Sequence, residues 1–287
     1  QIFFSLSIAF GIMITYASYQ RRKANMTSSG LIVAFANSSF ELLAGIGVFA
    51  TLGFMAHQAG STVGELEGLT GPTLSFITFP AVISQMPGGN LFGALFFASL
   101  TIAGLTSLVS IMQGVAASVQ EKFALGRKTA AVLVSAVCGM LSIMLFSTTS
   151  GLFALDTVDM WSNNIGIVVS AILASVLVIW VMRRGPELRA HLNAVSTFKV
   201  GGWWIVFAGL LAPAVLLFML VQRVITLITE GYEGYPQWYL NLFGWGALVF
   251  VVVVALILTV LPWRDRRVDE FTPWPPLATG RKKEDVR

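Results

Sequence analysis

Seven polar side chains interrupt the long apolar stretches of this chain, and each has an oxygen atom that could bind a ligand. They are two carboxylates, one amide and four hydroxyls: Ser5, Ser7, Asn37, Glu41, Thr106, Ser107 and Asp159. Serine and threonine in membrane helices usually bond back to their own helix or assist helix packing. The set therefore indicates either helix packing or a site for a polar ligand or a cation.

The segment Ala103-Gly104-Leu105-Thr106-Ser107 is the best candidate for a cation site. It offers two adjacent hydroxyls, a nearby backbone carbonyl, and small residues that let another helix approach. Hard cations bind oxygen, and Ca²⁺ usually recruits carboxylates. A neutral set therefore favours sodium, although the segment suits a packing interface equally well.

The two carboxylates lie within apolar stretches, where a charge is costly and normally faces the interior with a partner or an ion. This interpretation is stronger for Glu41. Asp159 lies a few residues into its stretch, so a solvated carboxylate at the membrane interface is the alternative.

Enzyme chemistry finds little support in the sequence. The chain has 2 histidines and 1 cysteine; His57 and His191 are expected in connections and Cys138 in an apolar stretch. No acid or thiol beside them completes a catalytic triad or a metal site. We therefore expect a protein that is not an enzyme.

The composition places these residues in a lipid bilayer. The chain is 56% hydrophobic and 11% charged, against roughly 25% charged in soluble domains. Stretches long enough to cross about 30 Å of hydrocarbon recur at about 1–19, 30–56, 91–120, 128–147, 151–182, 202–229 and 239–262. We predict an all-α polytopic membrane protein with seven spans, a transmembrane domain over 1–263 and a cytoplasmic tail over 264–287.

The first stretch is interrupted in its middle by Ser5, Ser7 and Gly11. Backbone can unwind at bilayer depth only where protein or a water-filled cavity satisfies its polar groups. A broken helix therefore predicts an interior site, of the kind that binds ions and substrates in transporters.

Lysine and arginine gather on one side of the seven alternating spans, and Arg223 stands apart near the other side. The positive-inside rule makes the basic side cytoplasmic, so residue 1 lies at the outer face of the plasma (inner) membrane and the C-terminus in the cytoplasm. The net charge of +4 follows this orientation and forms no basic patch, so we expect no nucleic-acid partner.

Three motifs in order carry a family resemblance: Gln1-Ile2-Phe3-Phe4-Ser5-Leu6-Ser7 continuing to Tyr16-Ala17-Ser18-Tyr19, then Ala103 to Ser107, then Asp156-Thr157-Val158-Asp159-Met160-Trp161. The chain resembles the second half of a neurotransmitter:sodium symporter, in the bacterial amino-acid transporter branch. The resemblance runs from Gln1 to about Trp263. It also agrees with the abrupt start inside an apolar element, which suggests a fragment of a longer protein.

The resemblance implies a leucine-transporter-type fold of two inverted five-helix repeats plus two further helices. This chain would supply helices six to twelve, namely the second repeat and the two extra helices. The N-terminal half of the same protein would then be its partner and would supply the other wall of the site.

Roles follow from the matched positions. The substrate pocket would comprise Phe4 as an aromatic lid, together with Ser5, Ser7, Phe10, Ser107 and Ile111. Sodium site one would use Ser5 and Asn37, and sodium site two would use the Ala103 carbonyl, Thr106 and Ser107. Sodium ions would be the coupling ions, and a small neutral amino acid the substrate.

Further positions match gates and an anion site. Asp159 corresponds to an outer-gate carboxylate, and Tyr19 and Glu121 to an inner-gate tyrosine and acid. Gln1 and Glu41 correspond to the anion site of chloride-dependent members, which have a serine at the position of Glu41. A carboxylate there supplies the negative charge itself, so we expect chloride independence.

Ala9 departs from the family pattern, which has glycine inside the unwound stretch. Its methyl group restricts the backbone and the pocket, which favours a compact aliphatic substrate. The expected function is sodium-coupled symport of a small neutral amino acid by alternating access. The alternatives are a transport-inactive sensor or scaffold of the same fold and a membrane-embedded enzyme.

Overall fold

The computed structural model describes residue 3 and residues 6–21, 23–65 and 74–263, and over this part of the chain it contains helices and no β-strand. We number the helices α1 (Ile12–Ser18), α2 (Met26–Ala59), α3 (Phe79–Gln85), α4 (Gly89–Phe123), α5 (Arg127–Phe146), α6 (Gly151–Val181), α7 (Gly185–Val195), α8 (Trp203–Thr229) and α9 (Gln237–Val260). Six of these, all except α1, α3 and α7, are long and apolar enough to cross a membrane. The prediction of an all-α polytopic membrane protein is confirmed.

The first predicted span differs from the others in its described part. Residues 6–11 form turns and a bend, and only α1 is regular helix. The prediction of an interrupted helix is therefore confirmed. The other six predicted stretches coincide with long helices, although α2 begins at Met26, earlier than the predicted residue 30.

His57 lies in a helix and not in a connection, which corrects the expectation from the sequence, whereas His191 lies in the connection between the spans α6 and α8, as expected. His57 is in the last turn of α2, and His191 is in the short helix α7. The apolar pattern that defined the spans ends before His57, whereas the backbone hydrogen bonds continue. The sequence pattern therefore predicted where the apolar segment of α2 ends, but the helix itself continues beyond it.

The chain divides into two compact units, Gln1–Leu31 with Met112–Arg287, and Ile32–Ile111. The core of the first unit is a cluster of buried residues from α6, α8 and α9: Met160, Trp161, Ile165, Leu227 and Leu240. Trp161 is fully buried, and its ring makes edge-to-face contacts with Tyr232 at 5.8 Å and Trp245 at 6.0 Å.

Wide π-helical turns interrupt three of the spans of this unit, at Ser162–Gly166 and Leu177–Val181 in α6, Phe207–Leu211 in α8 and Leu240–Trp245 in α9. Two carbonyls in the α8 turn accept bonds from α6: Ser175 Oγ donates to Ala208 O at 2.5 Å, and Trp180 Nε1 donates to Gly209 O at 2.7 Å. These bonds fix α6 against α8.

The start of α2 is tied to the connection between α7 and α8. Ser196 Oγ donates to Thr27 Oγ1 at 2.8 Å, and Asn25 Nδ2 donates to Thr197 Oγ1 at 3.1 Å. Ser196 is buried although it is polar. These bonds lie within the first unit and fix the start of α2, the end that is predicted to be cytoplasmic.

The second unit contains residues 32–59 of α2, the helix α3 and the first part of α4. Phe79 of α3 packs on Phe96 of α4 with ring centroids 5.3 Å apart. A Cβ atom on Gly89 would lie 2.0 Å from the Ile83 carbonyl oxygen. The turn between α3 and α4 therefore has room only for glycine.

Candidate functional site

Before α1 the backbone leaves the helical conformation at three alternate residues. Ser7, Ala9 and Gly11 have φ angles of 50°, 65° and 76°. Side chains with a Cβ atom are disfavoured in this left-handed region, at a cost of about 1 kcal/mol or more per residue. Ala9 carries a methyl group where the backbone takes the conformation that glycine prefers.

The break is bounded on its C-terminal side by local hydrogen bonds. Thr15 donates to the Gly11 carbonyl twice, from its backbone N at 3.0 Å and from Oγ1 at 2.9 Å. The helix α1 is therefore fixed from Gly11 onward, and the freed polar groups of the backbone lie before it.

One predicted substrate residue, Phe10, lies at the break and lines a cavity of about 400 Å³ within the first unit. Apolar residues from α6 and α8 form much of the wall, and the polar lining consists of Asn163, Asn164, Gln222, Arg223 and Thr226. A cavity with apolar walls and a few polar groups is typical of a small-molecule site.

Other predicted pocket residues are distributed differently. Ser7 lies in the described turn, whereas Gln1, Phe4 and Ser5 lie outside the described residues. Ser107 and Ile111 are on α4 in the second unit. Their roles in a common pocket remain predictions.

In the second unit, α2 brings two predicted residues together. Asn37 Nδ2 donates to Glu41 Oε1 at 3.0 Å, one turn away on the helix, and both residues are half-buried. Only the oxygen of an amide can bind a cation, and this bond uses the nitrogen, so Oδ1 of Asn37 is left available. The predicted sodium ligand is thus oriented by the predicted anion substitute.

The Ala103 to Ser107 segment forms part of α4. Thr106 Oγ1 donates to the Ala103 carbonyl at 2.9 Å, which brings two of the three predicted ligands of sodium site two into contact. A hydroxyl that donates one hydrogen keeps its lone pairs, so Thr106 can still bind a cation. The same back-bond is common for threonine in helices that only pack, so the contact fits both interpretations.

On α6, the predicted outer-gate carboxylate has a partner that the sequence analysis did not name. Asp159 Oδ1 accepts a bond from Asn163 Nδ2 at 2.8 Å. Asn163 lies in the π-helical turn Ser162–Gly166. The Asp-x-x-x-Asn spacing was a usable signal, since residues four apart on a helix face each other.

A second acid of α6, Asp156, lies next to two tyrosines. Asp156 lies beside the phenols of Tyr232 and Tyr235 in the connection between α8 and α9. Burial, and then the negative charge of Asp156, raise the pKa of both phenols above the ordinary value of 10.0. These tyrosines therefore stay neutral well into the alkaline range.

At the predicted inner gate, the described contact of Tyr19 is with a residue that the sequence analysis missed. Gln113 Nε2 donates to Tyr19 Oη at 2.6 Å. Gln113 was detectable as an amide within the apolar helix α4. Glu121 lies near the C-terminal end of α4, and its predicted role in the gate is not addressed by this contact.

Among the described residues, no group of three or more histidine, cysteine, aspartate or glutamate side chains could hold a metal ion. Sodium does not need such a group, because hydroxyl, amide and carbonyl oxygens suffice for a hard monovalent cation. The oxygens of Asn37, Ala103, Thr106 and Ser107 are of this kind.

Comparison with known proteins identifies relatives over nearly the whole chain. The model of the sodium:neurotransmitter symporter family matches residues 1–265. An uncharacterized sodium-dependent transporter of Methanocaldococcus jannaschii is 38% identical over 90% of this chain and 52% of its own length. The human sodium- and chloride-dependent neutral and basic amino acid transporter B(0+) is 28% identical over 91% of this chain and 41% of its own length. The chain thus spans about half the length of the curated relatives it matches.

Proposed function

Because the chain belongs to the sodium:neurotransmitter symporter family, we propose that it is the second half of a sodium-coupled symporter for a small neutral amino acid. The family consists of transporters and not enzymes, and the expectation that the chain is not an enzyme is confirmed on that ground. The N-terminal half of the same protein would complete the fold and the site.

The break before α1 is the observation that carries this proposal. Three of five residues, Ser7, Ala9 and Gly11, have left-handed backbone in a stretch that is otherwise apolar. In a bilayer such backbone needs polar partners from a binding site or its water. A broken helix near the middle of a span supplies carbonyl and N–H groups to ions and to the ends of a zwitterion.

Sodium would couple to the substrate by sharing the site. We assign sodium site one to Ser5 and Asn37, and sodium site two to the Ala103 carbonyl, Thr106 and Ser107. An ion and a ligand that stabilise the same arrangement of side chains improve each other's binding by equal factors. The sodium gradient would therefore drive uptake of the amino acid.

Phe4, Ser5, Ser7, Phe10, Ser107 and Ile111 would bind the amino acid, and Ala9 supports a compact one. The methyl of Ala9 projects from a backbone that glycine would occupy without strain. It reduces the room beside the break, so alanine or leucine should be preferred to tryptophan.

Glu41 would make the transporter independent of chloride. Its carboxylate bonds to Asn37 at 3.0 Å, so its negative charge lies next to the proposed sodium ligand. In chloride-dependent members a bound anion would supply that charge. The relative B(0+) is named as chloride-dependent, so this property separates it from the proposed function.

The two gates would close the site in turn. Asp159 would close the outer side by pairing with a cation, and Tyr19 with Glu121 would close the inner side. By the positive-inside rule, the basic residues between and after the spans support a cytoplasmic C-terminus. We assign the protein to the plasma (inner) membrane.

The test is uptake by the full-length protein in liposomes. Radiolabelled alanine should accumulate under an inward sodium gradient and not when choline replaces sodium. Unlabelled leucine should compete, and tryptophan should compete poorly. Sodium-dependent binding of alanine without uptake would instead identify a sensor, and preferred binding of tryptophan would contradict the role of Ala9.

A further inference from the structure

Asn163 contacts a carboxylate and lines the same cavity as a guanidinium. On one side its Nδ2 donates to Asp159 Oδ1 at 2.8 Å. On the other side it lines the cavity of about 400 Å³ that Arg223 of α8 also lines. The side chain of Asn163 therefore touches the acid and shares a cavity with the cation.

Arg223 is a half-buried cation with one guanidinium nitrogen that has no partner among the described residues. It lies within the apolar span α8, and its Nε is buried with no hydrogen-bond partner among the residues that the structure describes. Arginine remains protonated in proteins, and an ionised group in such surroundings is costly unless it is paired. A carboxylate within hydrogen-bonding distance of Arg223 would form an ion pair with it.

Asp159 is at a similar depth in the bundle. Gly151 begins α6 and Thr229 ends α8, and these ends lie on the same side because the two spans are consecutive and run in opposite directions. At about 1.5 Å per residue, Asp159 is roughly 12 Å from the first end and Arg223 roughly 9 Å from the second. The depth of the two charges favours a pair, and in the structure the described partner of Asp159 is Asn163.

Pairing of these two charges would harm a transporter whose outer gate uses Asp159. A bidentate ion pair between arginine and a carboxylate is geometrically specific and stronger than a hydrogen bond from a neutral amide. Such a pair would keep Asp159 bound to Arg223 of α8 at the step where Asp159 must bind a different cation to close the gate. The carboxylate needs a weaker partner that releases it in each cycle, and a neutral amide is such a partner.

We propose that Asn163 is a positioning residue of the outer gate, which holds Asp159 and keeps it from pairing with Arg223. The proposal rests on the proposed transport function and on the assignment of Asp159 to the outer gate. The amide supplies one hydrogen bond to the carboxylate and carries no charge, so it orients Asp159 without trapping it. The wide turn Ser162–Gly166 presents the amide to both the carboxylate and the cavity.

The first experiment is a double-mutant cycle on uptake by the full-length protein in liposomes. Asn163→Ala should lower the maximal rate of sodium-driven alanine uptake about tenfold, a larger change than in the half-saturating alanine concentration. In the R223Q background the same N163A change should cost less than twofold, because no cation remains to capture Asp159. In the R223K background, which keeps the charge, the loss should persist.

An equal loss from N163A in all three backgrounds would overturn the proposal, because it would show a purely structural role for Asn163. The same conclusion would follow if N163A raised the half-saturating concentration and left the maximal rate unchanged. A merely structural contact would not be rescued by changing a residue on another helix.

A second measurement does not depend on transport. Thermal unfolding of the full-length protein in detergent should show coupling between D159N and R223Q when N163A is present, and additive shifts when Asn163 is intact. Additive shifts in both backgrounds would overturn the proposal. If the wild-type protein took up no amino acid while this coupling was found, the transport function would fail and the control of Asp159 by Asn163 would stand.

Discussion

Asn37 and Glu41 form a hydrogen-bonded pair on α2, with 3.0 Å between the amide Nδ2 and the carboxylate Oε1. The bond orients the amide, since Nδ2 donates to Glu41 and Oδ1, the only amide atom that can bind a cation, is not used by it. It also places a carboxylate next to a proposed sodium ligand. Through this contact the proposed anion position and the proposed sodium site would be coupled electrostatically.

The first prediction concerns that carboxylate. Replacing Glu41 by serine removes the fixed negative charge and leaves room for an anion. Sodium-dependent alanine uptake by the full-length E41S protein should require chloride, whereas the wild-type protein should transport equally well when gluconate replaces chloride. The measurement is initial uptake in liposomes over a chloride series. Loss of wild-type uptake in gluconate would contradict the role of Glu41.

The second prediction separates a sodium ligand from a hydroxyl that only bonds to its own helix. Thr106→Val keeps the side-chain shape and removes Oγ1, so the half-saturating sodium concentration should rise about tenfold, since a hydrogen bond or contact to a charged group contributes about 1.5 kcal/mol or more. Thr101→Val on the same helix is the matched control, because Thr101 Oγ1 also donates to a carbonyl, Phe97 O at 2.7 Å. Equal effects of the two substitutions would favour the packing interpretation.

The third prediction tests the core of the first unit. A Cβ atom on Gly244 would lie 2.6 Å from the ring of Trp161, which is fully buried. Gly244→Ala should therefore destabilise the protein by about 1–3 kcal/mol, the usual cost of overpacking. The measurement is thermal unfolding of the full-length protein in detergent.

Gly139→Ala on α5 is the control for this experiment. Nothing described lies within 4 Å of a Cβ atom at Gly139, so helix propensity alone should act and stabilise by up to about 1 kcal/mol. A destabilisation by G139A as large as that by G244A would show that the contact with Trp161 is not the cause.

The fourth prediction concerns alkaline pH. Burial and the neighbouring Asp156 raise the pKa of Tyr232 above the value of 10.0 that applies in the unfolded chain. The folded state therefore binds the phenolic proton more tightly than the unfolded state does. This stabilisation is complete below pH 10 and is lost as the pH rises through the folded-state pKa.

The unfolding temperature of the wild-type protein should accordingly fall more steeply above pH 10 than that of the Y232F variant. Asp156→Asn keeps the burial of Tyr232 and removes the nearby charge, so its alkaline loss should be intermediate. Identical pH curves for the wild-type and Y232F proteins would show that Tyr232 is not the group responsible.

The sequence alone determined the class of this protein and the position of its spans. Apolar stretches of membrane length are local features, and they located the long helices within a few residues. The break before α1 was also local, because Ser5, Ser7 and Gly11 stand where a lipid-facing helix would carry large apolar side chains. The choice of sodium as the ion came from oxygen chemistry within five consecutive residues, Ala103 to Ser107.

Only the tertiary structure decided which residues meet across the chain. Gln113 bonds to Tyr19, and Ser196 bonds to Thr27, although these partners are far apart in sequence. The cavity that brings Asn163 and Arg223 together likewise depends on how α6 and α8 are fixed against each other. Sequence periodicity specifies the apolar face of a helix and not its neighbour, because in a bilayer every apolar face can pack equally well on lipid or on another helix. The partners are chosen by close packing at small residues and by long-range hydrogen bonds, and these exist only in the folded chain.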